Sequence, residues 1–166
     1  MAKITLFDAA FPVILAAATL TNFLTESFSM AYAAPYCFCL ILYIYARKDL
    51  KDRIIPPSWW LVCIPLCALG LFSAASPAVL IASVVLGGLF FILGYIGPLN
   101  GADALAMASM SCIYAGITIA GVPVGIFILL ATCILGLVMM ACIPEWRRGM
   151  PALVPCCLIC TLALAV

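Results

Sequence analysis

Two aspartates stand where an acidic pair could do chemistry in an otherwise apolar chain. Asp49 lies in a short charged stretch, and Asp103 is the only charged residue between Arg53 and Glu145. Two carboxylates held close together cannot both ionise easily, so one keeps its proton and the pair supplies a base and an acid near neutral pH. The base can activate a water for attack on a peptide carbonyl, and the acid can protonate the leaving nitrogen. We therefore expect Asp49 and Asp103 to form one catalytic site of the aspartic-protease type.

Four neighbouring residues are expected to support this site. Gly101 would let a substrate backbone approach closely, and the small side chain of Ala102 adds no bulk beside the second aspartate. Arg53 is expected to anchor the charged loop or to meet a lipid phosphate. Pro56, followed by a second proline, marks the start of a new helix.

Each acidic residue also allows a plainer explanation. Asp49 could be one more solvated charge in a loop, as Asp52 is expected to be between its two basic neighbours. Asp103 could be the N-cap of the helix that follows it, because aspartate is a favoured residue at that position. Asp8 is expected to be a cap or an interface charge.

The residue types exclude several other kinds of site. The chain has no histidine, which removes Ser-His and Cys-His catalysis and the commonest metal ligand. Its ten cysteines lie mostly in apolar runs, and only Cys157 and Cys160 have the spacing of a metal or redox pair. Because a structural zinc site needs about four ligands, we expect the cysteines to act as small packing residues. No metal and no cofactor is expected.

The overall composition is that of an integral membrane protein. Of the 166 residues, 69% are hydrophobic and 8% are charged, against about 45–50% and about 25% in soluble domains. The net charge of +1 leaves no basic face to neutralise phosphates, so no nucleic-acid partner is expected. Lys3 precedes an apolar stretch without a small-residue cleavage site, so the first helix is expected to stay.

Breaks at charges, prolines and glycines divide the chain into seven apolar segments, close to the length that spans a bilayer. The predicted fold class is therefore all-α, a single bundle of about seven transmembrane helices over residues 1–166. The segments run over Phe7–Leu24, Met30–Ala46, Ser58–Ser73, Ala78–Ile96, Asp103–Ile119, Val124–Ile143 and Pro151–Val166.

The basic residues predict the orientation of this bundle. With the N-terminus in the cytoplasm, all seven fall on the cytoplasmic side, in the order Lys3, Arg47, Lys48, Lys51, Arg53, Arg147 and Arg148. Asp49 then closes the second segment on that side, and Asp103 opens the fifth segment on the same side. The two carboxylates can meet if the second and fifth helices pack as neighbours.

Three stretches resemble the signatures of one peptidase family. Asp49-Leu-Lys-Asp-Arg53-Ile-Ile55-Pro56 resembles the Asp-apolar-x-x-Arg-x-Ile-Pro signature of type IV prepilin peptidases and archaeal preflagellin peptidases. Gly101-Ala102-Asp103-Ala104 resembles their second motif, Gly-x-Gly-Asp or Gly-Gly-Ala-Asp. Met150-Pro151-Ala-Leu-Val-Pro155 resembles the motif that opens their last helix. The matches follow the family order and cover roughly residue 47 to the end.

The resemblance implies a membrane-embedded aspartic endopeptidase. Asp49 and Asp103 would be its catalytic pair, facing the cytoplasm from a multi-pass position in the cell membrane. Its partner would be a pilin, pseudopilin or archaeal flagellin precursor, cut between a short basic leader and an apolar helix. The long bacterial members carry a cysteine-paired cytoplasmic domain after the first helix and N-methylate the product. Here the first loop is short and expected outside, so no methyltransferase activity is expected.

The chain departs from the family pattern at four positions. Asn100 and Ala102 stand where the Gly-x-Gly-Asp form has glycines, although alanine before the aspartate occurs in the family. Leu105 replaces a frequent lysine, and Pro57 replaces the usual asparagine. Pro151-Ala-Leu153 also spells the Pro-Ala-Leu motif of presenilin and signal peptide peptidase, which are larger and carry a Tyr-Asp that is missing here.

A non-catalytic membrane protein, either a small transporter or an assembly subunit, is the alternative. A transporter is expected to place polar groups near the bilayer midplane, on broken helices. The predicted clustering of acids at one face favours the peptidase.

Overall fold

The computed structural model describes residues 2–24, 30–52, 55–97, 100–143, 151 and 153–165. Within these residues the chain forms seven α helices. They are α1 Ala2–Leu24, α2 Ala33–Asp52, α3 Cys63–Phe72, α4 Pro77–Ile96, α5 Gly101–Ile113, α6 Val124–Cys142 and α7 Leu153–Leu162. The predicted all-α class is confirmed.

Short 3-10 turns and one small hairpin connect or extend the helices. The 3-10 turns are Met30–Tyr32, Pro57–Val62, Tyr114–Gly116 and Ala163–Ala165. The hairpin joins β1 Thr118–Ile119 to β2 Val122–Pro123 in antiparallel register. Its turn needs left-handed backbone, with φ of 51° at Ala120 and 80° at Gly121, which glycine adopts without strain.

Helix α5 lies at the centre of the molecule, in contact with α2, α3, α4, α6 and α7. Its side chains Ala106, Met110 and Ile113 are fully buried. Two glycines let neighbouring helices approach α5 closely: a Cβ on Gly70 of α3 would lie 2.5 Å from the Cα of Ile113, and a Cβ on Gly87 of α4 would lie 2.9 Å from a cysteine sulfur of α5. The C-terminal half of α5 is therefore packed closely against α3 and α4.

Two predicted helix boundaries are wrong. The second helix was expected to end near Ala46, yet α2 continues to Asp52, so the expected charged loop is largely helix. An ion pair between Lys48 Nζ and Asp52 Oδ2, 2.7 Å apart and four residues along the helix, supports this last turn. The fifth helix was expected to reach Ile119, but it ends at Ile113 and gives way to the 3-10 turn and the hairpin.

Three helices are long and apolar enough to cross a membrane. These candidate spans are Phe7–Leu24, Pro77–Ile96 and Val124–Cys142, and two shorter apolar helical stretches cover Pro57–Phe72 and Leu153–Ala165. Large apolar side chains are exposed along the candidate spans, as on α4, where Val85 is 64% exposed and Tyr95 is 88% exposed. Exposed apolar surface on this scale is typical of a face that meets lipid or another protein.

Candidate active site

The first turn of α5 positions Asp103. The helix begins at Gly101, and extended backbone at Asn100 (φ −62°, ψ 135°) precedes it. The amide of Ala104 donates a hydrogen bond of 2.9 Å to the Asn100 carbonyl, which closes this first turn. Asp103 is therefore the third residue of the helix, and Asn100 occupies the N-cap position. The explanation of Asp103 as an N-cap is wrong.

The last turn of α2 positions Asp49. The alternative that Asp49 is a loop charge is also wrong, because the helix runs through it and its side chain is partly buried. Two cations near Asp49 in sequence, Arg47 and Lys48, pair with the carboxylates of Asp8 and Asp52. Arg47 Nε lies 3.0 Å from Asp8 Oδ1 on α1, and Tyr43 donates a 2.8 Å hydrogen bond to the same oxygen. Asp8 thus joins α1 to α2 near the site.

The structure brings Asp49 and Asp103 to one cavity. Both line a space of about 300 Å³ between the end of α2 and the start of α5. The other lining residues are Ile55, Pro57, Asn100, Gly101, Ala102 and Leu153. Because one water takes up about 30 Å³ of liquid, the cavity has room for a water together with part of an extended peptide.

Burial and a neighbouring charge favour the protonated form of Asp103 in this cavity. Burial, and secondly the charge of Asp49, raise the pKa of Asp103 from 3.8 to about 6. Asp103 precedes the apolar part of α5 and lies outside the three candidate spans. No donor in the described ranges hydrogen-bonds its carboxyl group. Asp103 therefore keeps its proton closer to neutral pH than an aspartate in water does.

Neighbouring elements fix the walls of the cavity. Tyr45 of α2 donates a hydrogen bond to the carbonyl of Trp59, and its ring packs edge-on against Trp60 at 5.1 Å between centroids. These contacts hold the 3-10 turn that begins at Pro57. On the opposite side, Gly94 of α4 has no side chain, and a Cβ there would collide with the Cβ of Ala104. Helix α4 can therefore approach the first turn of α5.

The other predicted supporting residues have different outcomes. Gly101 and Ala102 line the cavity with the aspartates. Pro56 does not line it, although its carbonyl accepts a 3.0 Å hydrogen bond from the Trp59 amide and starts the 3-10 turn. Arg53 lies outside the described residues.

Sequence reasoning did not assign four residues of the cavity wall to the site: Ile55, Pro57, Asn100 and Leu153. Ile55 and Leu153 belong to stretches that resemble the family motifs, so the resemblance contained a signal for them. Pro57 and Asn100 are positions where the chain departs from the family pattern.

The cysteines are all free thiols. Cys157 and Cys160, the pair with metal-like spacing, are buried in α7, where the Cys160 sulfur lies 3.1 Å from the sulfur of Met110 and the Cys160 carbonyl accepts a 2.8 Å hydrogen bond from Tyr114. Across the described ranges, no group of three or more histidine, cysteine, aspartate or glutamate side chains could hold a metal ion.

Comparison of the chain with family models, with curated proteins and with solved structures gave no match. The function is therefore inferred from the cavity and from the sequence motifs.

Proposed function

We propose that this protein is a membrane aspartic endopeptidase that removes the leader of prepilin-like precursors at the cytoplasmic membrane face. The observation that supports it best is the shared cavity, in which Asp49 and Asp103 face the same space and burial holds the pKa of Asp103 near 6. Carboxylates at helix ends are common, but two from distant parts of a chain in one small cavity are typical of acid–base chemistry.

In the proposed hydrolysis Asp49 acts first as the general base and Asp103 as the general acid. Asp49, ionised, takes a proton from a water as that water's oxygen attacks the scissile carbonyl carbon. Asp103, protonated, gives its proton to the carbonyl oxygen, which forms a neutral tetrahedral intermediate. The intermediate collapses when Asp49 passes its proton to the leaving nitrogen and Asp103 recovers a proton from a hydroxyl group. The carbon–nitrogen bond breaks, and both aspartates return to their starting forms.

The position of the site suits a substrate that approaches along the membrane. Arg47, Lys48 and Lys51 lie in the same last turns of α2 as Asp49, so the positive-inside rule puts this end of the helix in the cytoplasm. Three long apolar helices and two shorter apolar stretches are compatible with a multi-pass membrane bundle. In that arrangement the cavity opens at the cytoplasmic boundary, where a basic leader meets the apolar helix of a precursor.

The choice of substrate comes from the three motif matches. The Asp49 stretch, the Gly101 stretch and the Pro151 stretch resemble prepilin and preflagellin peptidases in order along the chain. The structure gives these stretches a common feature, since each of them contributes at least one residue to the cavity wall.

The test is cleavage of a precursor by the purified protein in lipid vesicles. Asp49→Asn and Asp103→Asn should each lower the cleavage rate by about 10²–10⁴-fold, the usual contribution of a general acid or base. Asp52→Asn is the matched control, because Asp52 lies in the same turn of α2 and pairs with Lys48 away from the cavity. Full activity in either catalytic variant, or equal loss in all three, would refute the proposal.

A further inference from the structure

A second, larger cavity runs along the outside of α3, α4 and α5. This outer groove has a volume of about 480 Å³ and an apolar lining that includes Trp60, Cys67, Val84, Gly88, Phe91 and Leu105. Cytoplasmic proteins seldom leave such an apolar channel open. In a bilayer it must be filled by lipid or by an apolar segment of another protein.

The outer groove and the aspartate cavity are linked by shared lining residues. A third cavity of about 280 Å³ borders on both. It shares Phe91 and Leu105 with the outer groove, and Gly101 with the aspartate cavity. Pro57 lines all three spaces. A chain that lies in the outer groove and passes Pro57 is therefore next to the cavity of Asp49 and Asp103.

Two adjacent glycines on α4, Gly87 and Gly88, have different surroundings. Gly87 is explained by internal packing, because a Cβ there would meet Cys112 and the carbonyl of Ala108 on α5. A Cβ on Gly88 would meet nothing within 4 Å. Glycine inside a helix costs roughly 0.5–1 kcal/mol relative to alanine, and no contact in the described residues accounts for it at Gly88. Small residues at helix surfaces let a second helix approach closely within a membrane.

Trp60 supplies an independent observation beside the same groove. Its side chain is 4% exposed, and its indole N–H has no acceptor among the described residues. A buried donor without a partner is costly. A peptide carbonyl is a suitable acceptor for it, and the extended stretch of a precursor that precedes its helix carries carbonyls without intrahelical partners.

We propose that the outer groove binds the apolar helix of the precursor and guides the cleavage site into the aspartate cavity. This inference rests on the proposed function and adds the substrate-binding surface. A lipid chain would fill the volume equally well, but it gives no reason for a channel that ends at two catalytic carboxyls. A precursor helix explains such a channel, because the bond to be cut lies immediately before that helix.

The first test enlarges Gly88. Gly88→Ala should be tolerated, whereas Gly88→Leu and Gly88→Trp should place a large side chain in the groove from a position where a Cβ meets nothing within 4 Å. The readout is kcat/KM for two substrates, a full precursor with its helix of about 20 apolar residues and a short peptide that spans the cleavage site but lacks the helix. Gly88→Trp should lower kcat/KM for the precursor by about tenfold or more and leave the peptide unchanged.

Ala82→Trp is the matched control, because Ala82 is exposed on α4 but does not line the groove. It should leave both substrates unaffected. Equal precursor cleavage by wild type and Gly88→Trp would overturn the groove assignment and leave the peptidase proposal intact. A wild-type protein that cleaves neither substrate would instead count against the proposed function.

The second test needs no turnover. A photo-reactive amino acid is placed at Val84, which lines the groove, or at Leu89, which does not; both are 49% exposed on α4. In an Asp103→Asn background, Val84 should cross-link to the helix of the precursor and Leu89 should not. Cross-linking of Val84 only to lipid, or equal cross-linking from the two positions, would refute helix binding in the groove.

Discussion

The raised pKa of Asp103 predicts an acidic pH dependence for the cleavage reaction. The mechanism needs Asp103 protonated and Asp49 ionised. With a pKa of about 6, Asp103 is about half protonated at pH 6, about one tenth at pH 7 and about one hundredth at pH 8. The value of kcat/KM should therefore fall about fivefold from pH 6 to pH 7 and about tenfold from pH 7 to pH 8. At lower pH kcat/KM should also fall, because the partner carboxyl must be ionised, so the pH profile should be bell-shaped.

The cause of the shift can be tested by removing the charge of Asp49. Burial is the larger cause and the Asp49 charge the smaller one, so Asp49→Asn should lower the pKa of Asp103 without returning it to 3.8. Infrared difference titration against Asp103→Asn in lipid vesicles measures this carboxyl directly and needs no activity. An unchanged titration midpoint in Asp49→Asn would show that the two carboxyls do not interact and would refute the dyad. A wild-type midpoint near 3.8 would refute the burial argument.

Four further outcomes are expected. Because the folded-state pKa of Asp103 is raised, its protonation stabilises the folded protein; this stabilisation is complete below pH 3.8 and is lost above about pH 6. Between pH 7.5 and pH 4 the free energy of unfolding, measured by thermal unfolding in detergent, should rise by up to roughly 3 kcal/mol, and by less because Asp103 is partly exposed. Asp103→Asn should not show this rise. Gly94→Leu should force α4 away from Ala104 and cost about 1–3 kcal/mol by overpacking, with loss of precursor cleavage. Cys37→Ser, at an exposed thiol, should keep full activity, whereas Cys160→Ser should lower the melting temperature because it puts a hydroxyl in a buried site. Mass spectrometry of the cleaved product should find an unmethylated N-terminus.

The apolar segments predicted most of the helices because their pattern depends on local composition. The limits of α4 and α6 lie within a residue or so of the expected ones. The limits of α2 and α5 could not be predicted in the same way. Helix α2 continues through its charged residues because ion pairs on and beside the helix satisfy them, and Asp8, one of the partners, lies far away in sequence.

The sequence predicts that Asp49 and Asp103, which lie in two distant stretches of the chain, form one site. Motif order and the positive-inside rule place both at one end of the bundle, but neither specifies which helices pack together. The packing depends on small residues such as Gly94, whose missing side chain matters only when its neighbour Ala104 is known. The outer groove had no signal in the sequence, because a glycine facing an empty space has the same local pattern as a packed one.

Each carboxyl of the proposed pair is attached to a helix terminus, Asp49 in the last turn of α2 and Asp103 in the first turn of α5. Helices tilt to match the thickness of the hydrocarbon layer around them, and a tilt moves a terminus farther than it moves the midpoint. The spacing of the two acids is therefore coupled to the acyl-chain length of the surrounding lipid. For such an enzyme the bilayer acts as an adjustable mechanical support as well as a solvent.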